Sequence, residues 1–188
     1  ALNPRTRMLP VLPEGYDYDV CNREILDMMT VEDGMVALPS GMRYAYFVLP
    51  DHARYTPEAL EKVYELVMAG ATVIGPRPSR SPSLNNFPSA DQKIQELAAK
   101  IWPEGSGPGE RQVGKCRVIT GKSFEQILAA DSLQPDFTAT LPGQEAAAEQ
   151  QKIKDDFATS KKQIRYIHRK IGEGGAYFIA SQSGETEE

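Results

Sequence analysis

The chain has few of the residues that most directly reveal a chemistry. Its 188 residues include two cysteines, two histidines and one tryptophan. Cys21 and Cys116 lie far apart, so there is neither a disulfide framework nor a Cys-x-x-Cys metal pair. The sequence also has no G-x-S-x-G elbow, no P-loop and no G-x-G-x-x-G following a strand. These absences exclude the common motifs for nucleophilic catalysis and nucleotide binding.

Charge and hydrophobic runs exclude two further classes of protein. The net charge is -5 with a pI near 5.2, which argues against a broad electrostatic footprint for nucleic acid or anionic lipid. No apolar run approaches the roughly 20 residues that span a bilayer, and the first residues lack the apolar core of a signal peptide. We therefore expect neither nucleic acid nor a membrane as partner. Because 40% of the residues are hydrophobic, a packed core is expected.

The clearest local pattern is a β-α-β unit. Tyr44–Leu49 is rich in aromatic and β-branched residues and predicts a strand. Thr56 is a good N-cap for a helix that ends before Gly70, a favourable left-handed C-cap. The segment "ATVIGP" then predicts a second strand, parallel to the first.

Other elements flank this unit. Upstream, the sequence predicts a strand that ends near Val20, a helix capped by Asn22 and a hairpin at Asp33-Gly34. Downstream, Ser89 is a candidate cap for a helix, "EGSGPGERQ" indicates a surface loop, "GKCRVIT" a strand and "SFEQILAADSL" a short helix. Alternating strands and helices predict an open, mainly parallel α/β sheet with helices on both faces.

A change in composition suggests two domains. From Pro142 the sequence becomes polar and helix-prone, and "IRYIHRKIGEGGAYFIASQ" then indicates a β-hairpin around a glycine turn. We place the boundary near residue 145. Residues 1–145 would form the α/β domain, and residues 146–188 a connecting helix and a C-terminal hairpin.

Two loops are candidates for ligand binding because open α/β sheets bind ligands beyond the carboxyl ends of their strands. The loop after the first strand offers Asp51, His52 and Arg54, and the loop "GPRPSRSPS" offers Arg77, Arg80 and serine hydroxyls. Arginine pairs well with carboxylate or phosphate, and hydroxyls with sugar oxygens. The alternative is that proline and serine only end a strand while the arginines are solvated.

A third candidate segment is "GYDYDVCNREIL". Within a strand, Asp17 and Asp19 would share a face, where two carboxylates could serve acid-base chemistry or bind calcium. The alternative is an exposed strand followed by a helix, which Asn22 caps and whose dipole Glu24 complements. Cys116, in the middle of a predicted strand, is expected to be a small buried hydrophobe rather than a nucleophile.

Five segments together resemble glycoside hydrolase family 106, the α-L-rhamnosidases. They are "GYDYDVCNREIL", "DGMVALPSGMRYAYFVLP", "TPEALEKVYELVMAGATVIGPRPSRSPSL", "GKCRVI" and "IRYIHRKIGEGGAYFIASQ". The resemblance implies the α/β domain that follows the catalytic barrel, with a flavodoxin-like or amidotransferase-like fold. It further implies that the hairpin begins a β-sandwich domain.

The resemblance also implies a function. The whole enzyme would be an exported bacterial hydrolase that cuts terminal α-L-rhamnosides by inversion, with calcium, using carboxylates on a barrel absent from this chain. No catalytic residue is assigned. We expect the domain to be non-catalytic or to complete the substrate pocket, with no metal of its own. The candidate substrate-binding residues are Tyr18, Asp19, Asn22, Glu24, His52, Arg54, Arg77 and Arg80.

Two other functions stay open. The first is a stand-alone sugar-binding or interaction module without enzymatic activity, which a missing neighbouring barrel would favour. The second is a free-standing amidotransferase-like hydrolase, which would need a nucleophilic thiol at Cys21 or Cys116.

Overall fold

A computed structural model describes residues 12–13, 15–52, 54–103, 107–137, 164–171 and 174–181. The chain divides into two compact units, one of Ala1–Pro13 with Asp17–Gln134 and one of Glu14–Tyr16 with Pro135–Glu188. The helices are Arg23–Met28 (α1), Pro57–Ala69 (α2), Ser89–Ile101 (α3) and Phe124–Ala130 (α4). The strands are Thr30–Glu32 (β1), Met35–Ala37 (β2), Arg43–Tyr44 (β3), Phe47–Val48 (β4), Val73–Ile74 (β5), Gly109–Val113 (β6), Cys116–Thr120 (β7), Ile164–Ile171 (β8) and Gly174–Ser181 (β9).

The larger unit contains a four-stranded sheet of order β4-β5-β7-β6. β4, β5 and β7 are parallel, as the β-α-β pattern predicts, while β6 pairs with β7 in the antiparallel direction. A separate three-stranded antiparallel sheet is formed by β1, β2 and β3. The mixed α/β class is thus confirmed. The flavodoxin-like or amidotransferase-like arrangement is not, because the strands are divided among several sheets.

Helix α2 begins and ends where its sequence predicts. The Thr56 hydroxyl accepts a hydrogen bond from the backbone N–H of Ala59 at 3.3 Å, and Gly70 adopts a left-handed φ of 112°. Its apolar side is buried in two hydrophobic clusters, which hold the helix against the β-strands and α3. The buried residues of α2 are Leu60, Val63, Leu66 and Val67.

The predicted strand Tyr44–Leu49 is wrong as a single element. Tyr44 pairs with Val36 in the three-stranded sheet, whereas Phe47 pairs with Val73 in the four-stranded sheet. The segment therefore changes sheets within three residues. The apolar composition of the segment fits both sheets, because Tyr44 packs against one hydrophobic cluster and Phe47 packs against both.

Three further local predictions are corrected. None of the described strands ends at Val20, which is 87% exposed. Ser89 begins α3 instead of capping it, because its hydroxyl donates to the carbonyl oxygen of Asn86 at 2.6 Å. Part of the predicted loop "EGSGPGERQ" is strand β6, since Glu110 and Arg111 pair with β7. The remaining predictions for α1, the Asp33-Gly34 hairpin, β7 and α4 are confirmed.

The smaller unit contains the predicted C-terminal hairpin of β8 and β9. On one face, His168 Nδ1 lies 2.9 Å from a carboxylate oxygen of Asp136, and the His168 ring stacks on Tyr177 with centroids 4.1 Å apart. On the other face, Ile167 and Phe178 oppose each other and are 49% and 64% exposed. The connecting helix predicted for residues 146–163 lies outside the described residues.

Candidate functional site

The candidate loops follow the carboxyl ends of β4 and β5. Backbone pairing continues one residue past each strand: Leu49 N–H donates to the Ile74 carbonyl at 2.8 Å, and Gly75 N–H donates to the Ile119 carbonyl at 3.0 Å. Gly75 is required here, since its φ is 151° and a Cβ would lie 2.6 Å from Leu49 Cβ. The close approach of these two backbones fixes where both loops leave the sheet.

The two loops meet beyond the sheet. Arg54 and Arg80 form an isolated parallel β-bridge, and Tyr55 N–H donates to the Arg80 carbonyl oxygen at 3.2 Å. The structure thus brings together the two segments that the strand order predicts at one edge. Arg54 and Arg80 are exposed, and Arg77 is half-buried.

Side chains of helix α3 form hydrogen bonds with the backbone of the second loop. The Asp91 carboxylate accepts a hydrogen bond from Ser81 N–H at 2.8 Å, and the Gln95 side-chain amide donates to the Ser79 carbonyl oxygen. The Ser81 and Ser83 hydroxyls accept bonds from backbone N–H groups two residues further on. These hydroxyls, which we expected to bind sugar oxygens, thus help to order the loop.

In the first loop, His52 and Tyr55 support each other. His52 Nδ1 accepts a hydrogen bond from Arg54 N–H at 3.3 Å, and the His52 and Tyr55 ring centroids are 5.1 Å apart. The Tyr55 hydroxyl donates to the Pro50 carbonyl oxygen at 3.2 Å. Burial, followed by the charge of Asp51, raises the pKa of Tyr55, so its hydroxyl stays protonated. Our sequence analysis missed Tyr55, although it follows Arg54 directly.

The arginines of these two loops, at the carboxyl ends of β4 and β5, have no acidic partner within the described part of the chain. None of Arg54, Arg77 and Arg80 forms an ion pair with a described carboxylate. Each guanidinium is therefore available as a hydrogen-bond donor to an outside group.

The residues of the Tyr18–Glu24 stretch lie elsewhere, near the three-stranded sheet. Asp19 accepts a hydrogen bond from the Tyr44 hydroxyl of β3 at 2.7 Å. Burial, with the Asp19 carboxylate second, raises the pKa of Tyr44 to about 12. Asn22 caps α1 by accepting the Ile25 N–H at 3.0 Å, and Glu24 lies in the first turn of that helix. Capping thus accounts for Asn22, while Tyr18 is 52% exposed.

A metal centre and a reactive thiol find no support among the described residues. There, no group of three or more His, Cys, Asp or Glu side chains could hold a metal ion. The Asp17 carboxylate accepts the Tyr18 N–H at 2.8 Å, so Asp17 and Asp19 are committed to different partners. Desolvation raises the pKa of Cys116 to about 11 and also raises that of Cys21. Neither cysteine has the lowered pKa of a nucleophile.

Sequence analysis also missed a third loop at the same edge. Because β7 is parallel to β5, its carboxyl end leads into Gly121, Lys122 and Ser123 beside the other two loops. Lys122 Nζ lies 3.3 Å from Glu110 of β6, and Ser123 forms a capping box with Gln126 of α4. The Ser-x-x-Gln spacing after a predicted strand was the available signal.

Of the helices in the described ranges, none is long and apolar enough to cross a membrane.

Comparisons with known proteins support a carbohydrate-active family. The model of the glycoside hydrolase 106 family, described as alpha-L-rhamnosidase, matches residues 3–149. A protein from Formosa agariphila named "Putative beta-glucuronidase" is 31% identical over 190 residues, covering 99% of this chain and 14% of that protein. The solved structure of a rhamnosidase from Novosphingobium sp. PP1Y matches with a TM-score of 0.69 and 30% identity, covering 91% of this chain and 15% of that chain.

The chain therefore spans 14–15% of the length of these relatives. Because the family model covers most of the sequence, this chain belongs to glycoside hydrolase family 106, the family of α-L-rhamnosidases.

Proposed function

We propose that the chain is an α/β domain of a glycoside hydrolase acting on α-L-rhamnosides, and that it completes the substrate pocket without supplying the catalytic carboxylates. The observation that carries this proposal is the edge where the loops after β4 and β5 join at the Arg54–Arg80 bridge. Hydrogen-bond donors exposed beyond parallel strands suit ligand binding in this class of sheet. The candidate substrate contacts at this edge are His52, Arg54, Arg77 and Arg80.

A catalytic role for the domain is disfavoured by its carboxylates. Glycoside hydrolysis needs a pair of carboxyl groups, about 6.5–9.5 Å apart in inverting enzymes, one of which must act as an acid. Asp19 is bonded to Tyr44, and Asp17 to the backbone of Tyr18. We propose that the catalytic pair, and calcium if the enzyme uses it, belong to a barrel elsewhere in a longer, exported polypeptide.

The hairpin unit suggests a structural role of its own. Ile167 and Phe178 form an exposed apolar pair on one face of β8 and β9. Such a face is stabilised when a second sheet packs on it. We propose that the hairpin begins a β-sandwich domain in the longer protein.

The first experiment uses the chain itself. An α-L-rhamnoside is followed by proton NMR with the chain and calcium present, and both the ligand line widths and free sugar are measured. We expect no free sugar, because we assign the catalytic pair to the barrel. Release of sugar would contradict the proposal and direct attention to Asp17, Asp19 and Glu24. Line broadening without release would show that the chain alone binds the sugar, and the kinetics of a longer enzyme would then separate a pocket-completing domain from the alternative, a stand-alone sugar-binding module.

The second experiment uses a longer family member that contains this domain. Arg77→Ala should raise KM or lower kcat for a rhamnoside. The reason is that Arg77 lies in the loop that follows β5, at the end of the sheet where we propose that the sugar binds. Lys115→Ala is the control, since Lys115 precedes β7 and lies at the opposite end of that strand. Unchanged kinetics for Arg77→Ala would leave the loop with a structural role only.

A further inference from the structure

Two arginines, Arg54 and Arg80, are backbone bridge partners at the candidate edge. Bridge partners project their side chains to the same side of the backbone pair, and paired strands lie about 4.8 Å apart. Arg54 and Arg80 are such partners. Like charges directly opposite each other are unfavourable in a sheet, so we expect this pairing to lower the stability of the free protein.

No carboxylate of the described residues pairs with these two charges. Neither arginine forms an ion pair with a carboxylate in the described ranges. The Asp91 carboxylate of α3 accepts the backbone N–H of Ser81. The backbone is also held in place, because Tyr55 N–H binds the Arg80 carbonyl oxygen and Gln95 binds that of Ser79. The two arginine side chains thus extend from a backbone bridge that hydrogen bonds hold in place.

A third donor lies in the first loop. Because His52 Nδ1 accepts the Arg54 N–H, the neutral ring carries its proton on Nε2. His52 is exposed, so that N–H can donate to a ligand at the surface of the same loop. Two guanidinium forks and one ring N–H form a set of donors with no acceptor among them.

We propose that Arg54 and Arg80 together bind an anionic group of a glycan, either the carboxylate of a uronic acid or a sulfate ester. This inference rests on the proposed function, which places sugar at this edge, and it names the chemical class of that sugar. An oxyanion between the two arginines neutralises their repulsion and receives charge-assisted hydrogen bonds from both forks. The local conflict in the free protein thus becomes a favourable contact in the complex.

The test is a titration of the isotope-labelled chain, following the arginine side-chain N–H signals by NMR at constant ionic strength. The ligands are methyl β-D-glucuronide, methyl glucoside 6-sulfate, methyl α-L-rhamnoside and inorganic sulfate. The variants are Arg54→Gln and Arg80→Gln, with Lys115→Gln as the matched control for loss of one positive charge. Each variant's melting temperature is measured first, so that only folded proteins are compared.

We expect saturable binding of the glucuronide or of the sulfated sugar, and the stronger of the two identifies the source of the anion. Either arginine substitution should weaken that binding about ten-fold, because one charge-assisted fork is lost. Lys115→Gln should change it by less than about two-fold. Equal binding of inorganic sulfate would indicate an adventitious ion only and overturn the proposal.

Two outcomes separate this inference from the proposed function. Binding of the neutral rhamnoside without either anionic sugar would overturn the anion site and leave the glycan-binding role standing. Absence of binding by all four ligands overturns the anion site in this chain, and the Arg77→Ala kinetics in the longer enzyme then decide the proposed function independently.

Discussion

The four-stranded sheet carries arginines in two contrasting settings. On β7, Arg117 forms a two-pronged pair with Asp131, with Nη1 2.6 Å from Oδ1, and lies 3.3 Å from Glu110. The Tyr46 hydroxyl donates to Asp131 at 2.6 Å. At the carboxyl edge, by contrast, Arg54 and Arg80 are bridge partners without a described carboxylate partner.

The difference separates structural from available charge. The side chains of Arg117 and Asp131 are only 26% and 19% exposed. Each charge is therefore partly removed from water, and the opposite charge of its partner offsets that desolvation penalty. Hydrogen bonding to Asp131 is the main reason that the pKa of Arg117 is raised. Arg54 and Arg80 are exposed bridge partners of like charge, so we expect them to add nothing favourable to the free fold. Substitutions in the two settings should therefore change stability in opposite directions.

The largest effect is expected for Gly75→Ala, which alters the backbone that leads into the Arg80 loop. Alanine would place its Cβ 2.6 Å from Leu49 Cβ at a φ of 151°. We expect a loss of about 3 kcal/mol in the free energy of unfolding, from strain and overpacking together. Urea denaturation measures this loss.

Gly41→Ala is the matched control for that substitution. Gly41 also has a positive φ, 87°, but nothing lies within 4 Å of its added Cβ. It should cost only the strain, about 1 kcal/mol. Equal losses for the two variants would show that the contact with Leu49 does not fix the start of the loop.

Asp131→Asn should have the second largest effect. It leaves Arg117 without its two-pronged partner, and we expect a loss of about 2 kcal/mol at neutral pH. Arg117 is also the main cause that lowers the pKa of Asp131 below its ordinary value of 3.8. A lowered folded-state pKa stabilises the protein above the unfolded value, and this contribution disappears as the pH falls through the folded value.

The difference between the wild type and Asp131→Asn should therefore shrink in acid below pH 3.8. Urea denaturation at neutral and acid pH checks this. Asp27→Asn is the control, because its bond to Arg23 is an exposed pair within one helix and should matter less. An equal loss for the two variants at neutral pH would contradict the structural role of the Arg117 pair.

Local signals explain what the sequence could predict. Helix α2 lies between Thr56 and Gly70 because capping depends on neighbouring residues alone. The turn at Asp33-Gly34 could also be predicted from the sequence, because Asp and Gly tolerate the positive φ that a tight hairpin turn needs. In the structure these φ angles are 52° and 79°. The meeting of two loops at one edge followed from the parallel strands that α2 connects.

Non-local pairing explains what the sequence could not predict. The division of Tyr44–Leu49 between two sheets depends on partners at Val36 and Val73, which composition does not reveal. The facing of Arg54 and Arg80 likewise depends on register across 26 positions of sequence. The pattern that put Asp17 and Asp19 on one strand face failed because none of the strands in the described ranges pairs with that segment.

The third loop at the edge offers an intermediate effect through Ser123→Ala. The Ser123 hydroxyl accepts the Gln126 N–H at 3.4 Å, and the Gln126 side chain accepts the Ser123 N–H at 3.1 Å. Loss of this capping box should cost about 1 kcal/mol in urea denaturation. Ser83→Ala, in the Arg80 loop, is the comparison and should cost less, because Ser83 caps no helix. A neutral Ser123→Ala would mean that packing alone holds the start of α4.

The smallest effect has the opposite sign. Arg54→Gln or Arg80→Gln should stabilise the free protein by about 0.3 kcal/mol at low salt, because either change removes the repulsion across the bridge. Since one substitution already removes that repulsion, the double variant should gain no more than a single variant, and a double-mutant cycle measures this coupling. The gain should fade at high salt, where exposed charges are screened. Lys115→Gln should show no such gain, and a loss of stability in either arginine variant would mean that the edge arginines, like Arg117, serve the fold.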